Sequence, residues 1–292
     1  MGEVLMRLVT YDDGRVGYVT GDRVVDLGGL LVGGYTVPGT KSAMRRLLER
    51  WDQVRKALPA PAPTNSVPLA SVRLGPPVPD PTKIVAAPVN YRDHRSEMAM
   101  TVDISDLAVF LKAPSSLLPH GGVVRLPYSD RRVDQEGELA AVIGRRAHRV
   151  SEADALGHVA GYTACLDITM RGGEDRSTRK SFDTFTPLGP WLVTADEAGP
   201  CDDVDLECVV NGEIRQKTNT RSLIWGVAKL VSYVSSVMTL EVGDVIATGT
   251  PAGVGPIAAG DEITVTLSRI GTLAVTVASD ERGPSPTGTR RR

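Results

Sequence analysis

The chain has 292 residues, enough for one large domain with a smaller appendage. Hydrophobic residues make up 41% and aromatics only 4%, so a core has to rest on Val, Leu, Ile and Ala. The 33 basic and 35 acidic side chains leave a formal net charge of −2, which gives no global pull towards nucleic acid or anionic membrane. No apolar run has the length of a membrane span. The three cysteines, Cys165, Cys201 and Cys208, lack CxxC or zinc-type spacing and fit a reducing cytoplasm.

Residues 5–28 read as an antiparallel meander with turns at Asp12-Asp13-Gly14 and Asp22-Arg23. Met44, Leu47, Leu48, Trp51 and Val54 fall at helical spacing and predict a helix over 41–56. The proline-rich stretch 58–63 is the best boundary in the chain. It separates a small N-terminal α+β domain, 1–70, from a larger domain, 71–280. Residues 281–292, ending in Arg290-Arg291-Arg292, read as a disordered tail.

Residues 83–87 read as a buried strand running into Asn90-Tyr91-Arg92-Asp93-His94. His94 and Glu97 are three apart and share a face on a helical turn, where the carboxylate can orient the imidazole. A polar helix start with no further role is the alternative. Residues 98–108 lack periodicity and are a candidate lid. A short strand, 109–112, and the turn Ala113-Pro114-Ser115-Ser116 follow.

The stretch 134–144 reads as a strand that is acidic at its start and apolar beyond. Side chains alternate faces along a strand, so Glu136 and Glu138 point to the same side. Two carboxylates so placed repel unless a divalent cation, an Arg or Lys, or a shared proton lies between them. Further on, Ser151-Glu152-Ala153-Asp154 has a helix-capping pattern. A strand over 159–167 ends on Asp167; Arg171 is four residues later, and a basic stretch closes on Lys180. Asn211-Gly212 marks a hairpin, 222–237 an apolar helix, and 262–267 and 273–277 the closing strands.

Glu136, Glu138 and Asp167, with no His or Cys cluster beside them, suit a hard ion such as Mg²⁺, Mn²⁺ or Ca²⁺ rather than Zn²⁺. An acidic edge paired with basic side chains is the competing reading. The Gly-rich loop 249–255 lacks the Lys of a P-loop. Thr250 within it can offer a hydroxyl to a substrate carboxylate, or the loop can be no more than a tight turn.

The ordered series Asn90-Tyr91-Arg92-Asp93-His94…Glu97, Lys112-Ala113-Pro114-Ser115-Ser116, Glu136-Gly137-Glu138-Leu139, Gly161-Tyr162-Thr163…Asp167…Arg171, Lys180-Ser181-Phe182-Asp183, Pro187-Leu188-Gly189-Pro190 and Met238-Thr239-Leu240 through Gly255 resembles the fumarylacetoacetate hydrolase family over residues 83–277. The resemblance implies an α+β, mainly β fold: a mixed β-sandwich roll with short peripheral helices, commonly a homodimer. It implies Mg²⁺ or Mn²⁺, with Ca²⁺ as a further option, held by Glu136, Glu138 and Asp167. His94 and Glu97 match a dyad that activates water or moves a proton, and Lys180 a lysine that stabilises a developing enolate. Arg171 and Thr250 match positions near the substrate, which is a small oxo acid.

The implied activity is a cytoplasmic, metal-dependent hydrolase that cleaves a C–C bond in a 1,3-dioxo or 2-oxo acid through a metal-bound enolate. The alternative is an isomerase, tautomerase or decarboxylase working on the same site. Two positions depart from the family pattern. Pro88 stands where Gly is common, and Gly172-Gly173-Glu174 replaces an Asp-x-Gln after Arg171. Glu174 there would favour a less anionic or amine-bearing ligand.

Overall fold

A computed structural model describes residues 6–31, 34–35, 41–97, 101–280 and 282–287. Residues 98–100 of the expected lid and Arg290-Arg291-Arg292 of the tail lie outside them. The fold is mainly β. An eleven-stranded sheet, a five-stranded sheet and a three-stranded sheet carry the chain, with short helices around them.

The strand Gly137–Ile143 runs through the middle of the large sheet, antiparallel to Val159–Leu166 on one side and to Val245–Ala247 on the other. Its two faces enter two different cores. Leu139, Ala141 and Ile143 pack with Tyr162, Ala164 and Leu166, whereas Ala140 and Val142 pack with Ala160 and Cys165. The apolar run is therefore continuous, as expected of a strand covered on both sides. The N-terminal meander extends the same sheet, since Arg7–Tyr11 pairs with Thr186–Thr194 at Leu8 and Leu192.

The acidic stretch is not one strand. It divides into Val133–Gln135, in the three-stranded sheet, and Gly137–Ile143, in the large one, with Glu136 at the break. The small sheet pairs Val133–Gln135 with Thr169–Met170 and with Gly255–Pro256. Three segments far apart in sequence thus meet at the edge where the acids lie.

Two expected helices come out differently. The stretch 41–56 forms Ala43–Leu48 and Trp51–Val54, separated at Arg50, whose backbone leaves the helical region (φ −117°, ψ 17°). The apolar helix starts at Val227 rather than at 222. The backbone before it is already committed. Asn90 accepts from Trp225 N at 2.8 Å and donates to Trp225 O at 2.9 Å, while Ile224 N donates to Asn90 O at 2.8 Å. Peptide groups held this way cannot enter the i→i−4 ladder. The Ser151 cap and the Asn211-Gly212 hairpin form as expected.

The C-terminal stretch read as disordered has an ordered part. Ser285 N donates to Asp130 at 2.7 Å, and Arg131 donates to Ser285 Oγ and Thr287 O at 3.0 and 3.1 Å. Among the described residues no helix is long and apolar enough to cross a membrane.

Candidate metal centre and active site

Strand register brings the three acids together. Gly137–Ile143 pairs with Val159–Leu166 so that Glu138 lies opposite Cys165, and Asp167 N donates to Glu136 O at 2.8 Å just beyond. Glu136, Glu138 and Asp167 each offer a carboxylate oxygen within 4.8 Å of the others. They are 6, 2 and 1% exposed. The period-two expectation for Glu136 and Glu138 survives the strand break between them.

Cations close around two of the three acids. Lys180 Nζ donates to Glu136 Oε2 at 2.7 Å, to Asp167 Oδ2 at 2.6 Å and to Thr169 Oγ1 at 2.7 Å. Arg171 donates from Nη2 to Glu136 Oε1 at 3.0 Å and from Nε to Asp134 Oδ2 at 2.6 Å. Lys112, fully buried, donates to Asp167 Oδ1 and to Phe185 O at 2.8 Å. Among the described residues, Glu138 has only the Gly249 N–H, at 2.8 Å.

The electrostatics separate the two glutamates. Burial works to raise the Glu136 pKa, but Lys180 and Arg171 overcome it and lower it to about 2. Burial raises Glu138 well above the usual carboxylate range, and Asp167 and Glu136 add to that effect. Burial works against the charge on Lys180, but Asp167 and Glu136 raise its pKa on balance.

The glycine loop is an anchor. Gly249 has φ +96°, and a Cβ there would meet Asn90 Cβ at 2.8 Å. Gly253 has φ +94°, and a Cβ would lie 1.8 Å from Arg215 O. Only glycine fits either position. Gly253 N donates to both Glu97 oxygens, at 3.0 and 3.2 Å. The loop therefore fixes Glu138 through one glycine and Glu97 through another. His94 Nδ1 lies 3.4 Å from Glu97 Oε2, a long contact, on the helix Arg92–Glu97.

One cavity of about 170 Å³ collects these groups. His94, Glu136, Glu138, Asp167, Arg171, Lys180 and Thr250 line it, with Ala87, Pro88, Val89 and Phe110 as its apolar side. Glu97 stands behind His94. The Thr250 hydroxyl donates to Gly137 O at 3.0 Å and accepts from Gln216 Nε2 at 2.7 Å, so its proton is already used. Glu174 is not part of the wall. Arg131 holds it with two 2.8 Å bonds and Thr287 Oγ1 donates to it at 2.7 Å. The leaning towards an amine-bearing ligand therefore loses its basis: the acid that suggested it is neutralised away from the cavity.

Sequence reasoning missed Lys112, Asp134, Arg131 and Tyr91. Lys112 stood in a quoted motif without a role. Tyr91 is fully buried, and its hydroxyl has no partner among the described residues. Burial first, then Glu138 and Asp93, push its pKa up.

The donor set fits a divalent ion. All three donors are hard carboxylate oxygens, and each carboxylate keeps lone pairs beyond those given to Lys112, Lys180 and Arg171. Among the described residues Glu138 has no cationic hydrogen-bond partner, and its charge acts on the unpartnered Tyr91 hydroxyl. An ion would supply the missing charge.

A mainly β roll carrying a buried cluster of three carboxylates beside a His–Glu pair defines the class of protein. The fumarylacetoacetate (FAA) hydrolase C-terminal profile matches residues 83–278, and the chain belongs to this family of enzymes. A maleylpyruvate hydrolase of Aquipseudomonas alcaligenes is 42% identical over 292 residues, covering 94% of this chain and 100% of that protein. The oxaloacetate tautomerase YisK of Bacillus subtilis is 40% identical over 220 residues, covering 70% of this chain and 73% of its own. The crystal structure of maleylpyruvate hydrolase from Sphingobium sp. SYK-6 in complex with manganese(II) ion and pyruvate matches at TM-score 0.81 and 38% identity. That match covers 94% of this chain and 99% of the other.

Proposed function

We propose that this enzyme is a divalent-metal-dependent hydrolase that cleaves a C–C bond in a 1,3-dioxo or 2-oxo acid. The observation that carries the reading is the buried Glu136–Glu138–Asp167 cluster, bridged by Lys180 and sharing one cavity with His94. Maleylpyruvate hydrolases among the relatives support it. Magnesium is the proposed resident ion, with manganese or calcium as alternatives, and a cytoplasmic homodimer the proposed state.

When bound, the ion supplies a Lewis acid that draws electron density from the carboxylate–keto end of the substrate. The rest belongs to the chain. With Nδ1 directed at Glu97, the other imidazole nitrogen of His94 is left to take a proton from water. The resulting hydroxide attacks the distal carbonyl. The C–C bond breaks, and its electron pair passes to the carbon next to the remaining keto group. His94 returns its proton to that carbon, so water is divided between a new carboxylic acid and a 2-oxo acid. The ammonium of Lys180 offsets the negative charge that develops in between. Arg171 Nη1, which has no hydrogen-bond partner among the described residues, is placed for a substrate oxygen, and Thr250 shapes the wall through Gly137.

Turnover of an acylpyruvate in ¹⁸O-water tests the reaction. Hydrolysis puts label into the carboxylate derived from the acyl half, and His94→Ala lowers kcat by about 10²- to 10⁴-fold. A second reading, tautomerisation or decarboxylation of a 2-oxo acid, is favoured by the resemblance to the Bacillus tautomerase. It predicts an intact carbon skeleton, or loss of carbon dioxide, with no label in a new carboxylate.

A further inference from the structure

The peptide groups on either side of Gly137 set where Glu136 and Glu138 point. In the large sheet, the ladder between Gly137–Ile143 and Val245–Ala247 ends at Ala140 and Ala247, short of Gly137. Two side chains take the place of the missing strand. Gly137 N donates to Gln216 Oε1 at 2.8 Å, and Gly137 O accepts from the Thr250 hydroxyl at 3.0 Å. Gln216 comes from Glu213–Asn219, the edge strand of the five-stranded sheet, and is fully buried.

Gln216 uses its whole amide there. Besides accepting from Gly137, it donates from Nε2 to Thr250 Oγ1 at 2.7 Å and to Pro251 O at 3.0 Å. These partners fix which way the amide faces, because a peptide N–H can only donate and a carbonyl can only accept. With Gln216 donating to it, the Thr250 hydroxyl is left to direct its own proton at Gly137 O. The same strand seats the far end of the glycine loop, where Arg215 Nη1 donates to Pro256 O at 2.6 Å.

Gly137 is where such restraint is needed. It follows the break between two sheets, and glycine has the widest backbone freedom. The bond to Gly137 N holds the peptide after Glu136, and so the ψ of that residue. The bond to Gly137 O holds the peptide before Glu138, and so the φ of that residue. Released, the two carboxylates would turn apart, since like charges repel.

We propose that Gln216 is a positioning residue of the metal centre: through Gly137 and Thr250 it holds Glu136 and Glu138 together before an ion arrives. The proposal rests on the reading of Glu136, Glu138 and Asp167 as the ion's ligands. Gln216 itself lies behind the cavity wall and acts only through the backbone it grips. Ligands held in place in advance spare the ion the cost of ordering them.

The test is calorimetric titration with Mn²⁺, together with the EPR spectrum of the bound ion, in wild type, Gln216→Met, Thr250→Val and Thr220→Val. Methionine fills much the same space as glutamine without an amide. Thr220→Val is the control: it removes buried hydrogen bonds to Cys201 O and Val204 N, each 2.9 Å, beside the same edge strand but away from the cavity. Gln216→Met is expected to weaken Mn²⁺ binding by about 10- to 100-fold and to broaden the spectrum. Thr250→Val weakens binding in the same direction, and Thr220→Val loses stability with Mn²⁺ affinity unchanged. Wild-type affinity and spectrum in Gln216→Met overturn the proposal and leave the metal reading intact. An equal loss of affinity in Thr220→Val also overturns it, because the effect then belongs to the fold at large. If Gln216→Met does not fold, Thr250→Val decides, and unchanged affinity there overturns the proposal. A wild type that takes up no Mn²⁺ refutes the metal reading itself, and the proposal with it.

Discussion

Lys112 shows what a single side chain does here. It is an ammonium with no exposed surface, placed against Asp167 and Phe185 O. Replacing it by Met leaves Asp167 with one cation fewer in a dry site, and urea denaturation is expected to show a loss of about 3 kcal/mol. The pair was not legible in the sequence, because its members are 55 residues apart and nothing local ties them. The acids themselves were legible, since Glu136 and Glu138 obey a period of two and Asp167 closes an apolar strand. Glu174 was visible but misjudged, because its partner Arg131 is also distant in sequence. Its pKa is lowered from 4.5 to about 2, chiefly by the Arg131 hydrogen bonds. Its contribution is therefore fully present above pH 4.5 and is lost as pH falls towards 2. Protection of the Ser285 and Thr287 amides, taken relative to their intrinsic exchange rate at each pH, should fall as pH falls across that window in the wild type. In Glu174→Gln that protection should be low at every pH.

Elements were read best where the signal is short-range. The Ser151 cap, the Asn211-Gly212 hairpin and the apolar strands need only neighbouring residues, and they form where expected. The start of the helix Val227–Val237 was missed by five residues because Asn90 intervenes from far away in the chain. Asn90 also donates to Thr248 O at 2.8 Å, so one side chain joins the segment before that helix to the strand end before the glycine loop. Asn90→Ala removes three buried hydrogen bonds and leaves their partners unpaired. Chemical denaturation should report a loss of about 3 kcal/mol, with exchange accelerated more at the Trp225 amide than at amides within the helix Val227–Val237.

At the scale of the molecule, the site is a meeting of sheets. The large sheet supplies Glu138, the three-stranded sheet sets Asp134 and Thr169 opposite each other, and Glu136 and Asp167 sit where the two sheets join. The family resemblance foresaw a mainly β roll with short helices, and the three-sheet arrangement agrees with it. Residue periodicity alone did not reveal the break at Glu136, because strand alternation runs through it unchanged. The central claim is that Glu136, Glu138 and Asp167 together hold the ion on which turnover depends. Calorimetric titration of Mn²⁺ into wild type and Glu138→Gln, both checked for folding, tests it most directly. The account predicts a single ion per chain in the wild type and binding weakened by about 100-fold or more in the variant. Equal Mn²⁺ affinity in the two proteins would contradict it.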